Sequence, residues 1–158
     1  PWLSRRLEID TLVNSFDACE VEDLLNLPND EITKMKAQKH PFKLISGDIM
    51  EHYPYGKLFE FESRDEDLER FSNRDISVTG VLCGNKVKLA SSLARGIEKN
   101  FDDTISADGA RRFAWVYPTD VEGRFNQVEA QYEFNFTLPK GSYATVLLEE
   151  IAKKQIRD

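Results

Sequence analysis

At 158 residues, with 41% hydrophobic and 31% charged side chains, the chain can bury a core and sits near the size of one ordinary domain. No run approaches the ~18 apolar residues of a membrane helix, so neither a membrane span nor a membrane partner is expected. The formal net charge of −7 argues against a wholly basic RNA-coating protein, since phosphate is bound mainly by Lys and Arg, but it leaves room for one basic face.

The chain opens on Pro1-Trp2-Leu3 with helical spacing already under way at Leu3, Leu7, Val13 and Phe16. That spacing predicts a helix over 3–14, and a chain that is a piece of a longer protein. Asp17 and Glu20 stand at capping-box spacing and predict a second helix, with Val21, Leu24 and Leu25 inward. Pro28, Asn29 and Asp30 end it and cap a third that runs to about Gln38. After His40-Pro41, the runs PFKLI, DIMEHY and KLFEFES read as three short strands. Ser46-Gly47-Asp48 and Tyr53-Pro54-Tyr55-Gly56 are the turns between them. Ser63 and Glu66 repeat the capping-box spacing before a short helix, DEDLERF. DISVTGVLC is a strand closing on Gly84-Asn85. KLASSLARGIEKNF is a helix with Leu89, Leu93, Ile97 and Phe101 at four-residue steps, and RRFAWVYP is a strand ending at Pro118.

From Asn126 to Leu138 the residues alternate. Val128, Ala130, Tyr132, Phe134, Phe136 and Leu138 hold one parity; Gln127, Glu129, Gln131, Glu133, Asn135 and Thr137 hold the other. A two-residue period of this length predicts one long strand with a core face and a polar face. Pro139-Lys140-Gly141 breaks it, and Ser142 opens a last helix with Tyr143, Leu147 and Ile151 along one side. The order of elements is not a regular βαβ alternation, so the class is α+β. The polar stretch Pro118–Gly123 is the expected boundary, dividing the chain into 1–118 and 119–158.

Few residues suggest chemistry. His40 and His52 have no third ligand at metal-like spacing, so no metal is expected. Cys19 and Cys83 are isolated thiols without CxxC spacing, which points to a reducing, cytoplasmic setting. The stretch 60–70 packs six acids against two bases and reads as a solvated face. Basic residues gather elsewhere: Lys34, Lys36, Lys39, His40 and Lys43; Lys86 and Lys88; Arg111 and Arg112; Arg124 and Lys140. The Arg111-Arg112 pair is either surface charge or a phosphate clamp, because guanidinium groups bind phosphate oxygens bidentately. The turn Lys140-Gly141-Ser142 leads onto a helix N-terminus, which attracts anions, and Tyr143 adds a face on which a nucleobase can stack. The same residues also make an ordinary left-handed turn and a capped helix with Tyr143 in a core. Both readings stand at this point.

The run FTLPKGSYATVLLEEI resembles the C-terminal signature of the TruD family of tRNA pseudouridine synthases, with Leu138, Pro139, Gly141, Ser142, Tyr143, Ala144 and Thr145 in place. Gly47 to Met50 resembles the family's Gly-Asp-hydrophobic turn. Asp75 to Gly84 is similar to its D-I-x-P-T-G-P-L-x-G segment, with Val78 and Val81 where proline is frequent. Arg111-Arg112 and Trp2-Leu3-Ser4-Arg5-Arg6 match further pieces. The resemblance implies a uridine-to-pseudouridine isomerase acting on tRNA, typically at uridine 13 of the D arm, with the base flipped out and no cofactor or metal. It implies that residues 1–118 are the family's insertion domain of short strands and helices. Residues 119–158 would be a strand and helix returning to the catalytic domain. The family's catalytic Asp lies in a Gly-x-Lys-Asp motif in the N-terminal half, which this chain lacks, so no catalytic residue is expected here and the chain alone is expected to be inactive. Its implied partners are tRNA and that missing half. Phe136, Pro139, Gly141, Ser142, Tyr143 and Thr145 are the cleft-lining candidates, and Arg111, Arg112 and Lys140 the RNA-binding candidates. Replacing both arginines with alanine is expected to weaken RNA binding and leave folding intact. The alternative is a non-catalytic RNA-binding or protein-interaction module.

Overall fold

The structure, a computed structural model, describes residues 1–155. The chain divides into two compact units, 1–114 and from Trp115 onward. Each is described by itself.

The first unit begins with three helices, α1 (Trp2–Ser15), α2 (Ala18–Leu25) and α3 (Asn29–Ala37). The capping box predicted for α2 is complete. Asp17 Oδ1 accepts the Glu20 N–H at 2.9 Å, and Glu20 Oε2 accepts the Asp17 N–H at 3.1 Å. Helix α3 starts after Pro28 with no side-chain cap, so Asn29 and Asp30 lie inside it. The apolar spacing of α1 misplaces its inner face. The buried residues are Arg6, Ile9, Asp10 and Val13, whereas Leu7 and Phe16 are exposed. Ile9, Val13, Val21, Ile32 and Met35 from the three helices form the main core with Ile45, while Leu24 faces outward.

The segment PFKLI is not a strand. Phe42, Leu44 and Ile45 are buried, yet the backbone pairs with side chains and not with a neighbouring strand. The N–H groups of Lys43, Leu44 and Ile45 go to Asp10 Oδ1 (3.1 Å), Gln38 Oε1 (2.7 Å) and Asp48 Oδ2 (2.8 Å). Buried amides must be satisfied, and here three polar side chains do so, freeing the segment from a ladder.

A four-stranded antiparallel sheet follows in the order β2-β1-β3-β4, with β1 Ile49–His52, β2 Leu58–Glu60, β3 Ile76–Leu82 and β4 Ala110–Phe113. Helix α4 (Asp65–Ser72) joins β2 to β3, starting after Arg64; Ser63 has φ +59° and does not cap it. Helix α5 is shorter than predicted, Ser92–Glu98 with a 3-10 turn Lys99–Phe101. Residues 88–91 are held out of it: the Ala90 N–H donates to Glu98 Oε2 at 2.8 Å and the Ser91 N–H to the Gly47 carbonyl at 3.1 Å. The α+β class holds.

The second unit is a hairpin and a helix. The predicted long strand over 126–138 is a turn and one strand: β5 (Thr119–Asn126) occupies the stretch read as a boundary, and after the turn β6 (Gln131–Thr137) pairs back on it. The Asn126 side chain makes the turn, its Oδ1 accepting the N–H groups of Val128 (3.1 Å) and Glu129 (3.3 Å), with Ala130 at φ +53°. Four residues, 127–130, separate the paired Asn126 and Gln131. Paired residues share a face, so Phe125 lies with Tyr132 and Gly123 with Phe134. The parity of that face switches from odd on β5 to even on β6, and Val128 and Ala130 in the turn happen to extend the β6 parity and conceal the turn. Helix α6 (Ala144–Ala152) is the last element among the described residues.

Candidate functional site

The turn between β6 and α6 carries most of the predicted site residues. Gly141 has φ +87°, the left-handed region that favours glycine, and the Ser142 N–H closes a turn on the Pro139 carbonyl at 3.1 Å. A Cβ at Gly141 would meet no described atom within 4 Å, so conformation and not space calls for glycine. Helix α6 opens after Tyr143, and no side chain caps it; the predicted Ser142 hydroxyl cap is not made. A helix start without a side-chain cap can offer its first-turn N–H groups to an outside acceptor. Lys140 and Thr145 are exposed, Tyr143 is 61% exposed, and Phe136, Pro139 and Ser142 are half-buried. The turn thus brings Pro139 through Thr145 together on one short segment, with Phe136 on the strand leading into it. On the hairpin, Phe125 and Tyr132 stand opposite each other with ring centroids 5.0 Å apart, and the Phe134 ring stacks 6.3 Å from Tyr132.

The two arginines of β4, in the first unit, part ways. Arg111 is opposite Val81 and its side chain is 2% exposed. Its Nε donates to Thr79 Oγ1 (3.0 Å), one terminal nitrogen to the Thr79 carbonyl (2.6 Å), and the other to the Lys88 carbonyl (3.0 Å). That last nitrogen also lies 2.7 Å from Glu98 Oε1, an ion pair whose angle falls outside hydrogen-bond geometry. The guanidinium is consumed inside the fold, so the clamp reading does not fit Arg111. Arg112, opposite Gly80, is exposed.

A second buried pair was not legible from the spacing. Arg6 of α1 and Asp48, in the turn before β1, form a bidentate ion pair at 2.5 and 2.9 Å, both side chains all but fully buried. Arg6 also donates to the Lys43 carbonyl at 2.8 Å and stacks over Phe42, 4.8 Å from its centroid. The signal that could have found it is Arg6 and Asp10 standing at helical spacing with Ile9 and Val13. Gly47, beside Asp48, is at φ +89°, and a Cβ there would lie 2.1 Å from the Ser91 carbonyl oxygen. A Cβ on Gly80 would lie 2.9 Å from the Trp2 ring. The segments 2–6, 47–50, 75–84 and 111–112, noted separately in the sequence, are thus packing partners of one another.

His40 Nδ1 accepts the Phe42 N–H at 3.1 Å while its ring packs 4.4 Å from Phe71, and burial pushes its pKa down. His52 Nδ1 faces the Arg70 guanidinium at 3.1 Å. Cys19 and Cys83 are both free thiols, and the Cys83 thiol donates to the Phe101 carbonyl at 3.2 Å. Among the described residues no helix is long and apolar enough to cross a membrane.

Comparison with known proteins gives consistent matches. The family model for tRNA pseudouridine synthase D (TruD) matches residues 29–151. A protein of Sulfurimonas denitrificans named tRNA pseudouridine synthase D is 66% identical over 155 residues, 98% of this chain and 43% of the relative. One from Nitratiruptor sp. with the same name is 48% identical over 157 residues, 99% of this chain and 44% of the relative. The chain therefore spans less than half the length of these curated relatives. A crystal structure from Methanosarcina mazei described as a tRNA pseudouridine synthase D aligns with a TM-score of 0.54 and 18% identity, over 96% of this chain and 44% of that one. At that identity the likeness concerns the fold. With the family model matched over most of its residues, the chain belongs to the tRNA pseudouridine synthase D (TruD) family.

Proposed function

We propose that the chain is part of a tRNA pseudouridine synthase that isomerises uridine, at position 13 of the D arm, in the cytoplasm and without cofactor or metal. The observation that carries this reading is the family match, which runs from α3 through the β6–α6 turn. The chain's part is to bind RNA and to supply one wall of the cleft. The uncapped start of α6 and Lys140 hold a phosphate, Tyr143 and Phe136 flank the flipped base, and Gly141 lets the RNA approach the backbone. Arg112 contributes a further phosphate contact from the first unit. The carboxylate that attacks the nucleoside belongs to the remainder of the protein, so the 158 residues alone are inactive.

The reaction replaces the C5–H of uracil by the new C–C bond, so release of tritium from C5-labelled uridine in transcribed tRNA measures it. Full-length protein is expected to release it, and Tyr143→Ala to slow release by at least tenfold with tRNA still bound. Binding without release by folded full-length protein would favour a non-catalytic RNA-binding module. Failure to retain tRNA at all would favour a protein-interaction module, in keeping with the net charge of −7.

A further inference from the structure

The main core carries four charged side chains, Arg6, Asp10, Lys43 and Asp48, and two of them are incompletely satisfied, Arg6 at Nε and Asp10 at Oδ2. Asp10 is 4% exposed; its Oδ1 accepts the Lys43 N–H at 3.1 Å, and its Oδ2 meets no hydrogen-bond partner among the described residues. The groups facing it are Arg6 from its own helix and Lys43 and Asp48 from the 41–48 loop. Arg6 directs both terminal nitrogens to Asp48 and the Lys43 carbonyl, and its buried Nε makes no hydrogen bond to Asp10 or to any other described residue. Lys43 donates its ammonium to the Gln38 carbonyl at 2.8 Å and acts on Asp10 only through its charge. Lys36 of α3 and His40 bear on Lys43 and not on Asp10 directly. Two carboxylates therefore share one guanidinium where water does not reach, and Asp48 holds it.

We propose that Asp10 is a buried proton-binding site that couples the seating of helix α1 to pH, its carboxyl taking up a proton when the helix docks on the 41–48 loop. The docked helix then carries a neutral acid; in alkaline medium it carries a buried anion with one bare oxygen, which is costly. Burial pushes the Asp10 carboxyl up from 3.8 to about 6; Asp48 adds to the rise, while the Lys43 amide, Arg6 and the Lys43 ammonium oppose it. The folded state therefore binds the proton more tightly than the unfolded one. The added stability is complete below 3.8 and is lost as pH rises through about 6. The device bears on more than α1, because the same helix seats Trp2 against Gly80 of β3.

The test is urea unfolding of the whole chain between pH 5 and pH 8, for wild type and Asp10→Asn, with the Asp10 carboxyl 13C shift followed in the wild type. Between these limits the Asp10 contribution to the folding equilibrium constant should change by about tenfold, with the greater stability at pH 5. Asp10→Asn, neutral at every pH, should lack that component and be at least as stable as wild type at pH 8. His40, whose folded pKa is lowered, adds a slope of the opposite sign in both proteins and cancels in the difference. Equal slopes in the two proteins, or a 13C midpoint near 4, would overturn the proposal. Should Asp10→Asn fail to fold, the 13C midpoint decides: near 6 supports it and near 4 refutes it.

Discussion

Arg111 and Arg112 are neighbours in the chain, but side chains alternate along a strand, so one turns inward to Thr79 and Glu98 and the other outward. Their replacements should separate cleanly, contrary to a shared phosphate role. Arg111→Ala leaves buried Glu98 with only the more distant Arg95, 3.7 Å away, which should cost about 3 kcal/mol and lower the urea midpoint. Arg112→Ala, at an exposed side chain, should cost no more than about 1 kcal/mol and, in full-length protein, reduce the salt slope of tRNA binding by about 1. An unchanged salt slope would remove Arg112 from the interface. Gly47 is the other residue whose identity is forced. Its φ of +89° and the Ser91 carbonyl at 2.1 Å from a would-be Cβ both reject a side chain. Gly47→Ala should cost about 3 kcal/mol in a urea titration, the left-handed strain and the overpacking adding together.

At the scale of elements, local chemistry was readable where the residues that shape an element lie inside it. The α2 capping box is such a case, both of its hydrogen bonds lying within four residues of sequence. Asp17→Ala should therefore cost about 1 kcal/mol of stability, seen in thermal melts, with the fold retained. Elements shaped by distant partners were not readable. The 41–48 loop has the composition of a strand, but Asp10, Gln38 and Asp48 take its amides. The inner face of α1 holds Arg6 and Asp10 because an acidic partner and a backbone amide wait for them across the core. Alternation over 126–138 separates the two faces of β6, yet Val128 and Ala130 carry it on through residues that lie in the turn. In the turn before α6, the glycine was readable from its place after Pro139-Lys140, whereas the missing Ser142 cap depends on where the helix starts.

For the molecule as a whole, the two units pose different stability problems. The first has its own core of helices, loop and sheet. The second is a two-stranded hairpin and one helix, with Tyr132 71% exposed and Phe125 half exposed, and a lone hairpin is marginally stable in water. A chain ending at Ala114 should thus keep the far-ultraviolet spectrum and cooperative unfolding of the first unit. A peptide covering 115–155 alone should show neither. Cooperative folding of that peptide would contradict this account.

The amino-acid sequence by itself determined the α+β class and the places of most helices and strands, and it is over the sequence that the TruD family model matches. Those properties rest on local periodicity and on residue identity, both of which a linear string preserves. Tertiary structure alone decided which charges are buried, which of the two arginines is exposed, and which apolar rows face a core. Such outcomes follow from desolvation and pairing between residues tens of positions apart, as between Arg6 and Asp48 or Thr79 and Arg111, and proximity of that kind is not written in sequence order.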